Sequence, residues 1–387
     1  MMGGPARVMF VLAWAAAALP AAAASDRFVP KDPDFVVANV RQATPDAELR
    51  RLIERWRAAP EDAASVALAR AFLERARSLR EPMYFGRAES VLTVAARRPG
   101  ASSETRRLWA ETLQYRHEFM PAGRLLDDIL RQSPLDAAAR IQRASVRLVG
   151  GDFAGARADC AQLMASGTSR AVALACLAES LGGSGRLQQA RALLAAYPLY
   201  EAEPAVARAY LLTVRAELAE RDHAADLAIA DYRAALALAP LDDSLRASLA
   251  DALIARGDLA EADALLKIER PSLALVVRRA ACTRGLERDR LHALAGSWLD
   301  LEAARGDALH NREAAMLALQ DGDAARALAA AEKNFVSQKE LADVRVLARA
   351  AIAAGDPAAR ARLVDWVRGT GFADAVTEEL LGMRRGG

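Results

Sequence analysis

Four histidines, three cysteines and a large stock of carboxylates are the residues of this chain whose types could do chemistry. His117, His223, His292 and His310 are scattered. None stands in the His-Glu-x-x-His spacing that puts two imidazoles one helical turn apart to hold zinc. No Gly-Lys-Ser or Gly-Lys-Thr occurs, so a phosphate-cradling P-loop is absent from the sequence. The run GGSGR at 182–186 follows a helical pattern where a dinucleotide site would follow a strand, and it reads as a turn. Ser65 and Ser145 fall in helical stretches, not on the strained strand-to-helix elbow of a serine nucleophile. No pair among the carboxylates can be singled out for acid–base work. The expectation is a protein that is not an enzyme and needs neither metal nor cofactor.

What must position these residues is written in a repeat. Small residues recur at Ala88, Ala122, Ala156, Ala190, Ala228, Ala262 and Ala327, at spacings of 34, 34, 34, 38, 34 and 65. The last interval skips one degenerate unit. Twelve residues upstream of six of them stand Ala110, Ala144, Ala178, Ala216, Ala250 and Ala315. Two antiparallel helices approach closely where both present small side chains, so facing alanines set the crossing within each unit. Larger residues at helical spacing, such as Leu174, Leu177, Leu181 and Leu194, then fill the layer between units. Gly151, Gly185, Gly257, Gly322 and Gly355 mark the turns, where a left-handed residue ends a helix. His117 and His223 fall where other copies carry that glycine. Pro99, Pro134 and Pro240 stop second helices, and Asp136 and Asp242 cap the next ones.

Composition agrees with an ordered array. Of 387 residues 53% are hydrophobic, too many for disorder, and the formal charge of +2 is too balanced for a nucleic-acid coat. Three cysteines exclude a disulfide-dense miniprotein. A unit of this kind cannot bury its apolar face alone, whereas stacked units can.

The pattern resembles the tetratricopeptide repeat, a family of 34-residue helix–turn–helix units. Ala216, Ala228, Tyr232, Ala235 and Pro240 occupy its hallmark places within AIADYRAALALAP, and the next unit adds Leu249, Ala250, Leu253, Gly257, Asp258, Ala262 and Leu266. The family's tryptophan is missing from its usual place. Ser78 to Tyr84 reads as an insertion packed as a turn by Met83, Tyr84 and Phe85, and Pro271 to Gly306 matches poorly. EPMYFGRAES and GDALHNREAAMLALQDGD also resemble exported tetratricopeptide proteins of proteobacteria. The resemblance implies an all-α fold, a right-handed α-solenoid of about nine helical pairs over 62–372. An N-terminal segment at 25–61, with a capping helix near Asp46 to Ala58, precedes it, and a capping helix and tail at 373–387 follow it.

Repeat geometry also places the cysteines. Cys160 falls in a second helix and Cys176 in the first helix of the next unit, so the two either form a bridge across the repeat boundary or stay as separate buried thiols. Cys282 is left over as a packed thiol.

In such arrays the first helices line a concave wall, exposed at the second, fifth, ninth, twelfth and thirteenth places of each unit. Ninth places read Glu111, Ser145, Glu179, Glu217 and Asp251, then Arg349; fifth places include Arg107, Arg312 and Arg345. The implied groove is acidic in its middle and more basic towards the C-terminal end, which favours basic or neutral peptide segments. The alternative is that these are ordinary solvated helix faces. Tyr115 and Tyr210 are the main aromatics available for stacking. The Lys and Asn set with which chaperone-binding members clamp a C-terminal carboxylate is absent.

Residues 1–24 read as an export signal: Arg7 gives the positive start, Val8 to Leu19 an uncharged apolar run, and Ala22 to Ala24 a cleavage site ahead of Ser25. The run is shorter than the roughly 20 residues that span a bilayer. These features together predict a periplasmic or secreted chain with no membrane span after signal removal. An uncleaved N-terminal anchor is the alternative. The function expected is a scaffold or adaptor that holds protein partners along the concave face, not nucleic acid, in a bacterial cell envelope. A small-ligand or glycan-binding solenoid and a self-assembling structural protein are the rivals.

Overall fold

The computed structural model describes residues 47–79, 81, 83–166, 169–197, 203–305 and 309–383. The expected signal segment with Ala24 and Ser25, the chain from 25 to 46 and the last four residues lie outside them. Twenty α-helices make up the ordered elements among the described residues. A single helix, α1 (Ala47–Ala58), comes first. Nine helical pairs follow: α2 (Asp62–Leu79) with α3 (Met83–Ala95), α4 (Ser103–Tyr115) with α5 (Phe119–Gln132), α6 (Ala137–Gly150) with α7 (Phe153–Ala165), α8 (Arg170–Gly183) with α9 (Leu187–Ala195), and α10 (Ala205–Glu220) with α11 (Ala225–Leu238). The series continues with α12 (Asp243–Arg256) and α13 (Leu259–Leu266), α14 (Leu273–Cys282) and α15 (Gly285–Ala304), α16 (Asn311–Asp321) and α17 (Ala324–Phe335), then α18 (Leu341–Ala353) and α19 (Pro357–Thr370). A short helix, α20 (Ala375–Leu380), packs on α18. No helix among the described residues is long and apolar enough to cross a membrane.

The repeated alanines are the reason the pairs close. Ala88, Ala122, Ala156, Ala190, Ala228, Ala262 and Ala327 are all fully buried, as are their partners Ala110, Ala178, Ala216, Ala250 and Ala315. The skipped unit has its own anchor, Ala295, also at 0% exposure. It was hard to see because α14 has only 10 residues and α15 has 20, so the usual division of the unit is displaced.

Local rules fix the ends. Asp136 and Asp242 accept hydrogen bonds from Ala139 N (2.9 Å) and Leu245 N (3.0 Å), capping α6 and α12. His117 and His223 adopt the left-handed conformation, φ 58° and 57°, where other turns place glycine. The stretch after Ser78 departs from its sequence reading. Helix α2 runs on to Leu79, and Met83, Tyr84 and Phe85 form the first turn of α3 instead of a packed loop. Tyr84 is buried beside Phe72 (ring centroids 6.1 Å apart), while Met83 faces solvent.

First helices touch from pair to pair: α4 with α6, α6 with α8, α12 with α14, α14 with α16 and α16 with α18. With α2 against α4 and α8 against α10, the first helices form two runs, α2 to α10 and α12 to α18, joined where α12 packs on α11. The wall they make is not an open groove along its length, because the last pairs reach back to the turns of the middle ones. Lys339 N donates to Val149 O (2.7 Å), Ala375 N to Arg221 O (2.9 Å) and Arg221 Nη1 to Ala373 O (2.9 Å). Gln338 Nε2 meets His117 Nδ1 at 3.2 Å. At Gly185, with φ +75°, an added Cβ would stand 2.7 Å from the Gly371 carbonyl oxygen, so only glycine permits this approach. Apolar contact seals the seam: Phe372 packs 6.4 Å from Phe153, and Leu148, Phe153 and Ala156 share one buried core with α16 to α20.

Cys160 and Cys176 form a disulfide linking α7 to α8, with Cα atoms 5.6 Å apart. Cys282 stays a free thiol; its Sγ donates to Arg278 O at 3.4 Å, and burial pushes its pKa up to about 11.

Candidate binding cavity

The approach of the last pairs leaves a cavity of about 810 Å³ lined mainly by α10, α12, α14, α16 and α18, with Tyr232 of α11, Asn334 of α17, Gln338 and His117 completing it. Its lining follows the repeat. Tyr210, Thr213, Glu217 and Glu220 are the second, fifth, ninth and twelfth places of the α10 unit; Ser244, Ala247, Asp251, Ile254 and Ala255 hold the same places and the thirteenth in the α12 unit. Leu309, Arg312, Met316, Leu319 and Gln320 do so for α16, and Ala342, Arg345 and Arg349 for α18.

Of the residues singled out from the sequence, Tyr210, Glu217, Asp251, Arg312, Arg345 and Arg349 come together here. Glu179, on α8, stands directly behind them and accepts a 2.6 Å hydrogen bond from the Tyr210 hydroxyl. Arg107, Glu111 and Tyr115 do not join: all three are on α4, away from the lining. Glu111 is engaged by Arg77, and Tyr115 lies flat on Phe85, with centroids 3.5 Å apart and planes 10° from parallel. Arg107 keeps a buried Nε with no hydrogen-bond partner among the described residues.

Sequence reading gave an acidic middle and a basic end; the folded chain neutralises most of both. Arg278 holds Asp251 through two bonds, Nε at 2.9 Å and Nη2 at 2.8 Å, and lies 3.7 Å from Glu313. Arg312 reaches Asp343 and Glu340, each at 2.5 Å. Arg345 is the central clamp. It bonds both Asp374 oxygens (3.0 and 2.8 Å) and Glu220 Oε1 (3.0 Å), tying α18, the start of α20 and the end of α10 together. The Tyr232 hydroxyl donates to the other Glu220 oxygen at 2.7 Å. Arg278, Glu313, Asp343 and Asp374 were not nominated from sequence. Arg278 and Glu313 lie in or beside the degenerate unit, and Asp343 and Asp374 sit at helix starts, where a carboxylate reads simply as a cap.

Two acids remain outside this pairing. Burial pushes Glu217 up to about 8, helped by the neighbouring Glu179 charge, and Arg221 offsets only part of the rise. Burial likewise raises Glu179 to about 7, against the lowering effect of the Tyr210 hydroxyl. His117 is held below the usual imidazole range by burial and by His310, whose ring centroid is 6.5 Å away. Among the described residues no group of three or more His, Cys, Asp or Glu side chains has the arrangement to hold a metal ion. The cavity can thus accept hydrogen bonds and positive charge at one corner, over walls that are apolar or already neutralised.

No protein-family model matches the sequence, and no curated protein matches it significantly. Solved structures that resemble it include tetratricopeptide proteins. A thermophilic tetratricopeptide protein of Thermus thermophilus is 23% identical with a TM-score of 0.40, covering 47% of this chain and 98% of its own. A tetratricopeptide protein of Parabacteroides merdae is 14% identical at 0.39, covering 73% and 98%. A human IFIT1 dimer with PPP-AAAA is 12% identical at 0.45, covering 87% and 85%. None is close enough to carry a function across. By its own helices, anchors and turns the chain is an all-α solenoid of tandem tetratricopeptide-like helix–turn–helix repeats.

Proposed function

We propose that this protein is an exported scaffold that holds a protein partner on the inner wall of its first helices, in the bacterial cell envelope. The observation that carries the reading is the agreement between repeat place and position. Residues of the second, fifth and ninth places of α10, α12, α16 and α18 converge on one cavity, while the facing alanines between helices are fully buried. A surface of pre-ordered helices binds without first paying the entropy of ordering itself. Export is supported by the character of residues 1–24, and the Cys160–Cys176 bridge suits an oxidising compartment. N-terminal sequencing of the mature chain tests the cleavage.

A glycan-binding role finds less support. Sugars need open aromatic faces beside polar groups; Tyr115 has one face stacked on Phe85 and lies outside the cavity, and the Tyr210 hydroxyl is committed to Glu179. The test of the scaffold reading is site-specific photocrosslinking in cells from Ser244, which lines the cavity and is exposed, compared with Arg131 on the outer helix α5. A small set of partners captured from Ser244 and not from Arg131 is the expected result. Capture from both alike, or only of further copies of this chain, would remove the inner wall from consideration.

A further inference from the structure

The pairing of charges in the cavity says more than its shape. Among the described residues, every charged side chain of the lining is held by another protein group except Glu217 and Arg349. Arg349 is exposed, so water satisfies it. Glu217 is recessed in α10, and among the described residues no donor lies within hydrogen-bond distance of its carboxylate. Its charged surroundings are Glu179, Glu220 and Glu340, with Arg221 the nearest cation. Arg221 is itself turned to other work, donating to Ala373 O at 2.9 Å and lying 4.7 Å over the Phe372 ring. Glu217 is half-buried and lines the cavity, and a carboxylate set among other acids with no paired cation is unfavourable when ionised unless a cation is brought to it. The wall beside it, Val206, Ala209 and Thr213, would cover the methylenes of a long side chain, as snorkelling lysines and arginines require.

We propose that the cavity is a receptor for a single cationic side chain, a lysine or arginine of a partner's peptide segment, seated with its charged head against Glu217 and braced by Glu179 and Tyr210. This rests on the inner-wall reading above and names the chemistry the wall selects. The closed seam makes it a pocket for one short segment, not a channel for a long one: α18 stands against α10 through Arg345 and Glu220, 3.0 Å apart.

The experiment is selection of a displayed random heptapeptide library on the folded chain, repeated on the Glu217→Gln variant and on Glu111→Gln, which alters an acid of the same wall outside the cavity. Enriched peptides are then made synthetically, each with its basic residue kept or replaced by norleucine, and titrated calorimetrically. The expected result is enrichment of Lys- or Arg-bearing peptides on the native chain and on Glu111→Gln. Tenfold or greater loss of affinity is expected both with norleucine and with Glu217→Gln. Melting curves establish that each variant is folded. Enrichment without basic residues, undiminished affinity for Glu217→Gln, or no enrichment on the native chain would overturn the cation site. If partners still crosslink from Ser244 after any of these outcomes, the inner-wall reading stands and only the cation assignment fails. Loss of the Ser244 crosslinks ends both.

Discussion

Asp159 offers the sharpest test of how one pair is held together. It sits on α7 with its side chain 1% exposed and receives three arginines from α6. Arg143 bonds it at 2.5 and 3.0 Å, Arg147 at 2.8 Å and Arg140 at 3.3 Å. Replacing Asp159 with alanine strands three guanidinium groups at once, and breaking a buried pair of this kind costs about 3–5 kcal/mol. Each arginine retains a second acceptor: Asp127 for Arg143 (2.8 Å), Gly155 O for Arg147 (3.1 Å) and Pro134 O for Arg140. The low end, about 3 kcal/mol, is therefore expected. Asp128→Ala is the matched control, since its partner Arg131 is 75% exposed and such pairs contribute less than about 1 kcal/mol. Native-state hydrogen exchange across α6 and α7, with urea unfolding of the full chain, reads both. If Asp159→Ala exchanges no faster than Asp128→Ala, the three arginines do not depend on the buried carboxylate, and the reasoning is wrong.

Three further outcomes are expected. Removing the Cys160–Cys176 bridge by the double alanine variant should cost about 3 kcal/mol, from the closure entropy of a loop of 16 residues, and an unchanged urea midpoint would refute this. His223→Gly should raise the melting temperature, by the equivalent of about 0.5–1 kcal/mol, because φ 57° suits glycine and, among the described residues, the imidazole's one charged neighbour is Glu379 at 3.9 Å. A folded-state value of about 8 for Glu217 lies above the ordinary carboxylate range of an unfolded chain. Its contribution is therefore complete at acid pH and lost as pH rises through 8. The Glu217→Gln variant should gain in melting temperature relative to the native chain between pH 5 and 9, facing Glu179, Glu220, Glu340 and Arg221 as before. Parallel pH profiles for the two would contradict the assignment.

Much of the architecture was legible because it depends on contacts between residues close in sequence. An alanine that lets two helices cross must recur with the helices, so Ala88 to Ala327 could be read as a ruler. Glycine, or a histidine in its place, had to stand where the backbone turns left-handed, as at Gly151 and His117. The α14–α15 pair was obscured when the length of its two helices changed, although Ala295 kept its place. Which acids are neutralised could not be read, since Glu220 finds Arg345 125 residues away, and a repeat gives no sign of partners several units apart. Met83 was misplaced for a simpler reason: a proline-flanked apolar run resembles a packed turn, but here it opens a helix.

The seam between the last and middle pairs has a consequence for when the chain can finish folding. A nearest-neighbour array can begin anywhere and add units in sequence. Here Leu148 and Phe153 share their core with residues as late as Leu381, and His117 waits for Gln338, 221 positions on. Such distant contacts offset the entropy of closing a long loop only at the end, and they slow folding. Until the C-terminal pairs arrive, the earlier ones carry an uncovered apolar edge, a hazard for any chain that emerges from its N-terminus onward. A chain ending before Lys339 would retain its first pairs in register yet keep that edge exposed, and it would aggregate while its helical content remained high.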